Sequence, residues 1–202
     1  MLVLENGDFW ALYGTQSSTA FGVAGFIQGS GTSNSGSFTS ANTKDFGYAP
    51  ARAGTATATY DATAKTISGT AITGTSAVGF SGGPIVGSLY NYNTAASLTT
   101  VTGSWSTTSV TGEGVAVTVA ASGTFTAAST LGCNFSGTIT PRASGKNVFD
   151  VAMTFGAAPC ALAGQSATGI ALAYPIANGK TELLVAAVEG TRSYGAAVFG
   201  SR

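Results

Sequence analysis

The chain has 202 residues, enough for one large all-β domain or two small ones with a sizeable core. Only 8% of its residues are charged, against a usual share of roughly 25%, and eight basic side chains balance eight acidic ones. That leaves no basic patch for phosphates, which speaks against nucleic acid, and the lack of any histidine removes the side chain that does most acid–base chemistry at neutral pH.

Hydrophobic residues make up 44% of the chain, so a folded protein is expected despite the low charge. No stretch approaches the ~18 consecutive apolar residues of a membrane-spanning helix. The opening MLVLENGDFW lacks a basic region followed by a long apolar run. Either the protein stays in the cytoplasm or an export segment precedes Met1, and the cysteines below bear on that choice.

Strong helix formers are scarce and Thr, Val, Ser and Gly dominate, so strands are expected throughout. ALYGTQSSTAFGVAGF (11–26) reads as strand, polar turn, strand, with Trp10 and Tyr13 near its start. ATYDATAKTIS (58–68) is a hairpin with Asp61 at its tip, and TISGTAIT (66–73) is its return strand. SLYNYNTAASLTTVTGSW (88–105) is a junction that carries Tyr90 and Tyr92 and ends where Trp105 begins the next strand.

After the junction, GVAVTV puts Val115, Val117 and Val119 on one face, and AASGTFT turns the chain back. NVFDVAMTF gathers Phe149, Val151, Met153 and Phe155, while GIALAY gathers Ile170, Leu172 and Tyr174. YPIANGKTEL is a further turn, and LLVAAV (183–188) is apolar on both faces, as suits a strand covered on both sides. The sum is about twelve to fourteen strands joined by short turns, an antiparallel meander closing into a barrel or a sandwich. LVAAVEGTRSYGAAVF (184–199) echoes 11–26, and FSGTITP (135–141) echoes TISGTAIT. Two related β units, 1–98 and 99–202, or one continuous β domain would both fit.

Cys133 and Cys160 flank a single predicted hairpin. If 133–141 pairs with 147–155 around the turn ASGK (143–146), Cys133 falls opposite the end of the return strand and GAAP brings Cys160 back to it. A structural zinc needs about four ligands from Cys and His, and two cysteines without histidine cannot supply them. A redox pair is normally C-x-x-C. A Cys133–Cys160 disulfide is the favoured reading, with two buried free thiols as the other. A disulfide implies an oxidising compartment and hence export.

GFSGGPIVG (79–87) resembles the nucleophile loop GDSGGP of trypsin-like serine proteases over about six residues. Phe80 stands where that family has Asp, and with no histidine in the chain Ser81 has no base to take its proton. A strand end followed by a Gly-Gly-Pro turn is the ordinary reading. The carboxylates, Asp61 and Asp150 among them, show no spacing that marks a catalytic pair. No enzymatic activity, no metal and no cofactor is expected.

Aromatic side chains are the remaining candidates for recognition. Tyr90, Tyr92, Trp105 and Trp10 are the named set: core packing is the ordinary reading of the two tryptophans, while packing and recognition stand level for the two tyrosines.

CNFSGTITPRASGKNVFDVAMTF, ATGIALAY and TELLVAAVEGTRSYGAAVFG, together with GDFWALYGT and GVAGFIQGSG, resemble largely uncharacterised exported, lipoprotein-like β proteins of Gram-negative bacteria. The resemblance spans most of the chain and carries no catalytic residue across. It implies location in the periplasm or on the outer-membrane surface and a membrane attachment only through a lipid anchor that this chain lacks. The expected function is a non-enzymatic cell-envelope module that binds an envelope or surface macromolecule or assembles into an oligomer there. The alternatives are a lipocalin-like carrier of a small apolar ligand and a small outer-membrane β-barrel.

Overall fold

The computed structural model describes residues 1–16, 21–84, 87–176 and 179–202. Two turns expected from the sequence, at 17–20 and at 177–178, lie outside the described residues. The fold is all-β and divides into Met1–Ser88 and Leu89–Arg202. The division comes earlier than residue 98 for a local reason. Residues 89–97 are bonded to a barrel turn, with Asn147 N–H donating to Tyr92 O at 2.9 Å and Ala96 N–H to Lys146 O at 3.1 Å.

The first unit is an open antiparallel sheet of β1 (Leu2–Val3), β2 (Asp8–Gln16), β3 (Phe21–Ser30), β4 (Thr32–Asn34), β5 (Ser37–Asp45), β6 (Arg52–Asp61), β7 (Thr66–Thr73) and β8 (Ser76–Gly82). They run in the order β1-β2-β3-β5-β6-β7-β8, with β4 paired off this path to β5. Period-two alternation puts Phe9, Phe38 and Ala58 into one buried cluster, joined by Ile27, Tyr60, Ile67 and Phe80. Phe9 and Phe38 meet edge to face at 5.4 Å. A second set of rings is also buried. Trp10 stacks on Phe26 at 6.0 Å, and Phe26 on Phe46 at 4.6 Å.

The second unit is a closed eight-stranded barrel. A single helical turn, α1 (Leu98–Val101), leads into β9 (Gly103–Ser109), β10 (Gly114–Val119), β11 (Thr124–Ser129), β12 (Asn134–Pro141), β13 (Phe149–Phe155), β14 (Ser166–Pro175), β15 (Thr181–Glu189) and β16 (Gly195–Ser201). Each strand pairs with the next, and β16 returns to β9 through Val198↔Ser109 and Phe199↔Thr108. The sheet therefore closes on itself and leaves no edge. The described residues hold sixteen strands, two more than the upper expectation, and the excess matches the short pieces β1 and β4.

The barrel interior follows the predicted alternation on most strands. Val115, Val117, Val119, Phe149, Val151, Met153 and Phe155 all point into one apolar cluster with Trp105, Phe125 and Ile139. β14 departs from it. Its inward residues are Ala167, Gly169, Ala171 and Ala173, while Ile170, Leu172 and Tyr174 take the outer face. The inner space beside β14 is already filled from β15, where Val185 stands opposite Ala171 and Leu183 opposite Ala173. Strand β15 is buried on both faces, as LLVAAV requires.

Strand curvature draws on glycine at the inner face. A Cβ on Gly137 of β12 would lie 2.0 Å from Ala152 O, and one on Gly69 of β7 would lie 2.2 Å from Thr57 O. The two glycines occupy the Ser-Gly-Thr stretches that echo each other in sequence, and each lets neighbouring backbones approach closely. The other echoing pair, 11–26 and 184–199, forms the strands of β2–β3 and of β15–β16.

Cys133 and Cys160 form a disulfide. β12 pairs with β13 through Phe135↔Phe155 and Pro141↔Phe149, two residues out from the expected register. The even shift keeps every side chain on its face. It arises because Lys146 and Asn147 bond the 89–97 segment rather than extending the hairpin. Cys133 then lies just beyond the end of β13, where Gly156 N–H donates to Asn134 O at 2.8 Å and the following turn returns Cys160.

Candidate recognition surface

In an antiparallel barrel, alternate turns share an end. The start of β9, the β12–β13 connection, the β14–β15 turn and the end of β16 lie together, so Tyr90, Tyr92 and Trp105 are gathered at one end of the barrel. Trp10 is not among them; it belongs to the other unit and is buried on Phe26.

Trp105 is a core residue. It is 2% exposed, its Nε1–H donates to Val101 O at 2.7 Å, and the Arg202 guanidinium lies 4.0 Å from its ring centre. Arg202 is held there by donating to Thr102 O at 2.6 Å and Thr100 O at 3.2 Å. The arrangement closes the barrel end with a ring and a cation stacked on it.

Tyr90 is half-buried. Its hydroxyl donates to Asn147 O at 2.7 Å and its ring meets Tyr174 edge to face at 5.7 Å. Burial, with the neighbouring Tyr92 second, pushes the Tyr90 hydroxyl up to about 12. Tyr92 is half-buried too, with the Lys146 ammonium 5.4 Å from its ring centre. Lys146 Nζ donates to Asn93 Oδ1 at 2.9 Å, and Asn147 Nδ2 to Asn91 O at 3.1 Å. An aromatic ring, one cation and exposed amides thus share a patch. Nothing in the local sequence linked 91–93 to 146–147, because that pairing spans more than fifty residues.

Among the described residues, one cavity in the barrel interior measures about 30 Å³ and is lined by Val117, Phe125, Phe135, Ile139, Met153 and Val185 among others. The outer face of β9–β13 is the opposite in character. Ser104, Thr118, Thr126, Ser136, Thr154 and Ser166 stand directly opposite one another from β9 to β14, all exposed. They form a row of hydroxyls at about 4.8 Å intervals. The hydroxyls of Thr154 and Ser166 are 3.1 Å apart. The alternation of Ser and Thr with Val and Phe in these strands was the signal for it.

The carboxylates are occupied in turns and pairs. Asp61 accepts from Thr63 and Ala64 N–H at its hairpin tip, and Asp150 on the outer face pairs with Arg142. Asp45 is buried and accepts from the Tyr13 hydroxyl at 2.5 Å and from Gly47 N–H at 2.9 Å. Burial first, then that bond to Asp45, raises the Tyr13 hydroxyl far above its usual value. Glu189 is buried at the end of β15 and accepts from Thr191 Oγ1 and from the N–H groups of Thr191, Ser193 and Tyr194 at 2.5–3.1 Å. These bonds hold its carboxyl down at about 2. Ser81 is exposed on β8 opposite Ser68. Among the described residues no Cys, Asp or Glu cluster is placed to hold a metal ion.

Comparison with known proteins finds no family model, curated relative or solved structure that matches this chain.

Proposed function

We propose that this chain is a non-enzymatic, exported module of the Gram-negative cell envelope that binds a macromolecule or assembles on the surface. The barrel serves as a rigid scaffold, and its outer hydroxyl rows and the Tyr92–Lys146 patch supply the contacts. The observation that carries this reading is the barrel's polarity: side chains fill an apolar interior while Ser and Thr face water on β9–β13.

That polarity weighs against both alternatives. A carrier needs a pocket of roughly 300–1,000 Å³, and the interior cavity lined by described residues holds about 30 Å³. An outer-membrane barrel turns an apolar band outward and keeps a polar lumen, the reverse of β9–β13. The disulfide supports an oxidising compartment and so favours export. The resemblance to exported lipoprotein-like proteins points to the envelope in particular.

The test is made in the native host. Fractionation with thiol labelling after denaturation should find the protein oxidised and in the envelope, without a requirement for detergent once any lipid anchor is cleaved. Native mass spectrometry should find no small molecule released on denaturation. A reduced, cytosolic chain, or a chain that carries a releasable ligand, sinks the reading. Retention of the purified protein on isolated envelopes should fall at least fivefold in Tyr92→Ala with an unchanged melting temperature; equal retention removes that patch from the account.

A further inference from the structure

We propose that β8 is an assembly edge, at which a second copy of this chain adds its own β8 antiparallel, about a two-fold axis through Gly79. The proposal gives the assembly side of the function a specific contact, but it rests on the edge strand alone.

Strand β8 pairs with β7 on one side and ends the sheet order on the other. One row of its backbone N–H and C=O groups therefore faces no strand among the described residues. Proteins ordinarily blunt such an edge by shortness, charge, proline, a bulge or a covering loop. Among the described residues, β8 uses none of these. It is seven residues long, and Ser76 to Gly82 carry no charge and no proline. Its pairing with β7 is unbroken, and all its residues are exposed except the partly buried Phe80. The sequence has no charged residue anywhere from Thr66 to Gly112. The sheet's other edge, β1, is two residues long and offers little to a neighbour.

The sequence of β8 is complementary to itself in one register. With Gly79 opposite its own copy, all seven residues pair, and Val78 of each strand faces Phe80 of the other. Both residues lie on the face that bears the Phe9–Phe38–Ala58 cluster, because Phe80 pairs with Gly69, Gly69 with Ala58 and Ala58 with Phe38. The apolar face thus continues unbroken across the new junction. Val78, now 62% exposed, gains an aromatic cross-strand partner. A slip of one residue would put the two apolar faces on opposite sides of the joined sheet. A Cβ on Gly79 would meet nothing within 4 Å, so the sheet face at the centre of the strand has room for the side chain of a substituted residue. The result is an isologous dimer, the commonest closed assembly.

The experiment uses the full chain with its native disulfide. Sedimentation over a range of concentrations should show a monomer–dimer equilibrium, and Val78→Lys should raise the dissociation constant at least tenfold while the far-ultraviolet circular dichroism stays unchanged. Directly opposed residues on an antiparallel ladder are close enough for a disulfide. Gly79→Cys should therefore cross-link two chains on mild oxidation. Ala77→Cys, about 14 Å from its counterpart in this register, should not. If Val78→Lys fails to fold, the two cysteine variants still decide the register. A chain that stays monomeric throughout overturns the proposal, as does a dimer in which Gly79→Cys does not link. Pairing of β8 with an extended segment of another protein in place of a copy also overturns it. The two ideas fail separately. A monomer in the envelope removes only the β8 pairing, and a reduced cytosolic dimer removes only the envelope reading.

Discussion

Glu189 provides a strong test of how this barrel is held, because its four hydrogen bonds organise the β15–β16 turn from a single carboxylate. Glu189→Gln keeps the shape but replaces one acceptor oxygen with an amide N–H that faces backbone donors. The fall of the carboxyl from 4.5 to about 2, at about 1.4 kcal/mol per pH unit, sets an upper bound of roughly 3.5 kcal/mol. Thr191 and Tyr194 beside it are exposed, so solvent screening brings the expected loss to about 1–2 kcal/mol. The folded-state value lies below the unfolded one. The stabilisation is therefore present above pH 4.5, declines as pH falls and is mostly lost by pH 2. Urea denaturation of both proteins at pH 7 and near pH 2 measures the difference directly. The variant should be less stable at neutral pH, and the two curves should converge in acid. An offset that is the same at both pH values would mean the carboxylate charge is not what organises the turn.

Other perturbations act on separate elements. Reduction of Cys133–Cys160 should lower stability by about 2 kcal/mol, less than the ~3.6 kcal/mol of a free 28-residue loop because the β12–β13 hairpin already restrains the ends; calorimetry with and without reductant reads it. Gly137→Ala should cost at least about 2 kcal/mol, since its Cβ would meet Ala152 O at 2.0 Å and Met153 Cα at 2.8 Å. Chemical denaturation checks this, with Gly145→Ala, whose Cβ would meet nothing but whose φ is +72°, as the milder companion. Tyr90→Phe should remove one late-titrating phenol from the ultraviolet pH titration and cost about 1 kcal/mol through the lost bond to Asn147 O.

The all-β class was legible because large residues alternate with small polar ones, and Phe149, Val151, Met153 and Phe155 fill the interior as their spacing predicts. The same rule gathers Ile170, Leu172 and Tyr174 on one face, as observed, but that face is the outer one. Hydrophobicity does not say which of two apolar faces points inward when a narrow barrel must mix large and small residues. Pairings between distant stretches were hidden for a different reason. The bonds from 89–97 to 146–147, the β16–β9 closure and the Glu189 turn depend on three-dimensional placement, which leaves no periodic trace. Of the four aromatic candidates, Trp10 and Trp105 are fully committed to packing, whereas Tyr92 keeps a half-exposed ring beside Lys146.

The low charge constrains what kind of recognition this surface can perform. Solubility ordinarily comes from charged side chains, and here the exposed face of β9–β13 is carried by hydroxyls. Hydroxyl and ring contacts are short-ranged and are not screened by salt, whereas charge-steered binding weakens as the Debye length falls from about 10 Å at 0.1 M to about 3 Å at 1 M. With eight charges of each sign among 202 residues, the chain carries no net charge to steer it toward a charged partner over long range. Retention of this protein on isolated envelopes should therefore change less than about threefold between 0.1 M and 1 M sodium chloride. A steep loss with salt would place the binding on the few cations, Lys146 and Arg202 foremost at this barrel end, and would shift the search from a neutral, hydroxyl-bearing partner to an anionic one.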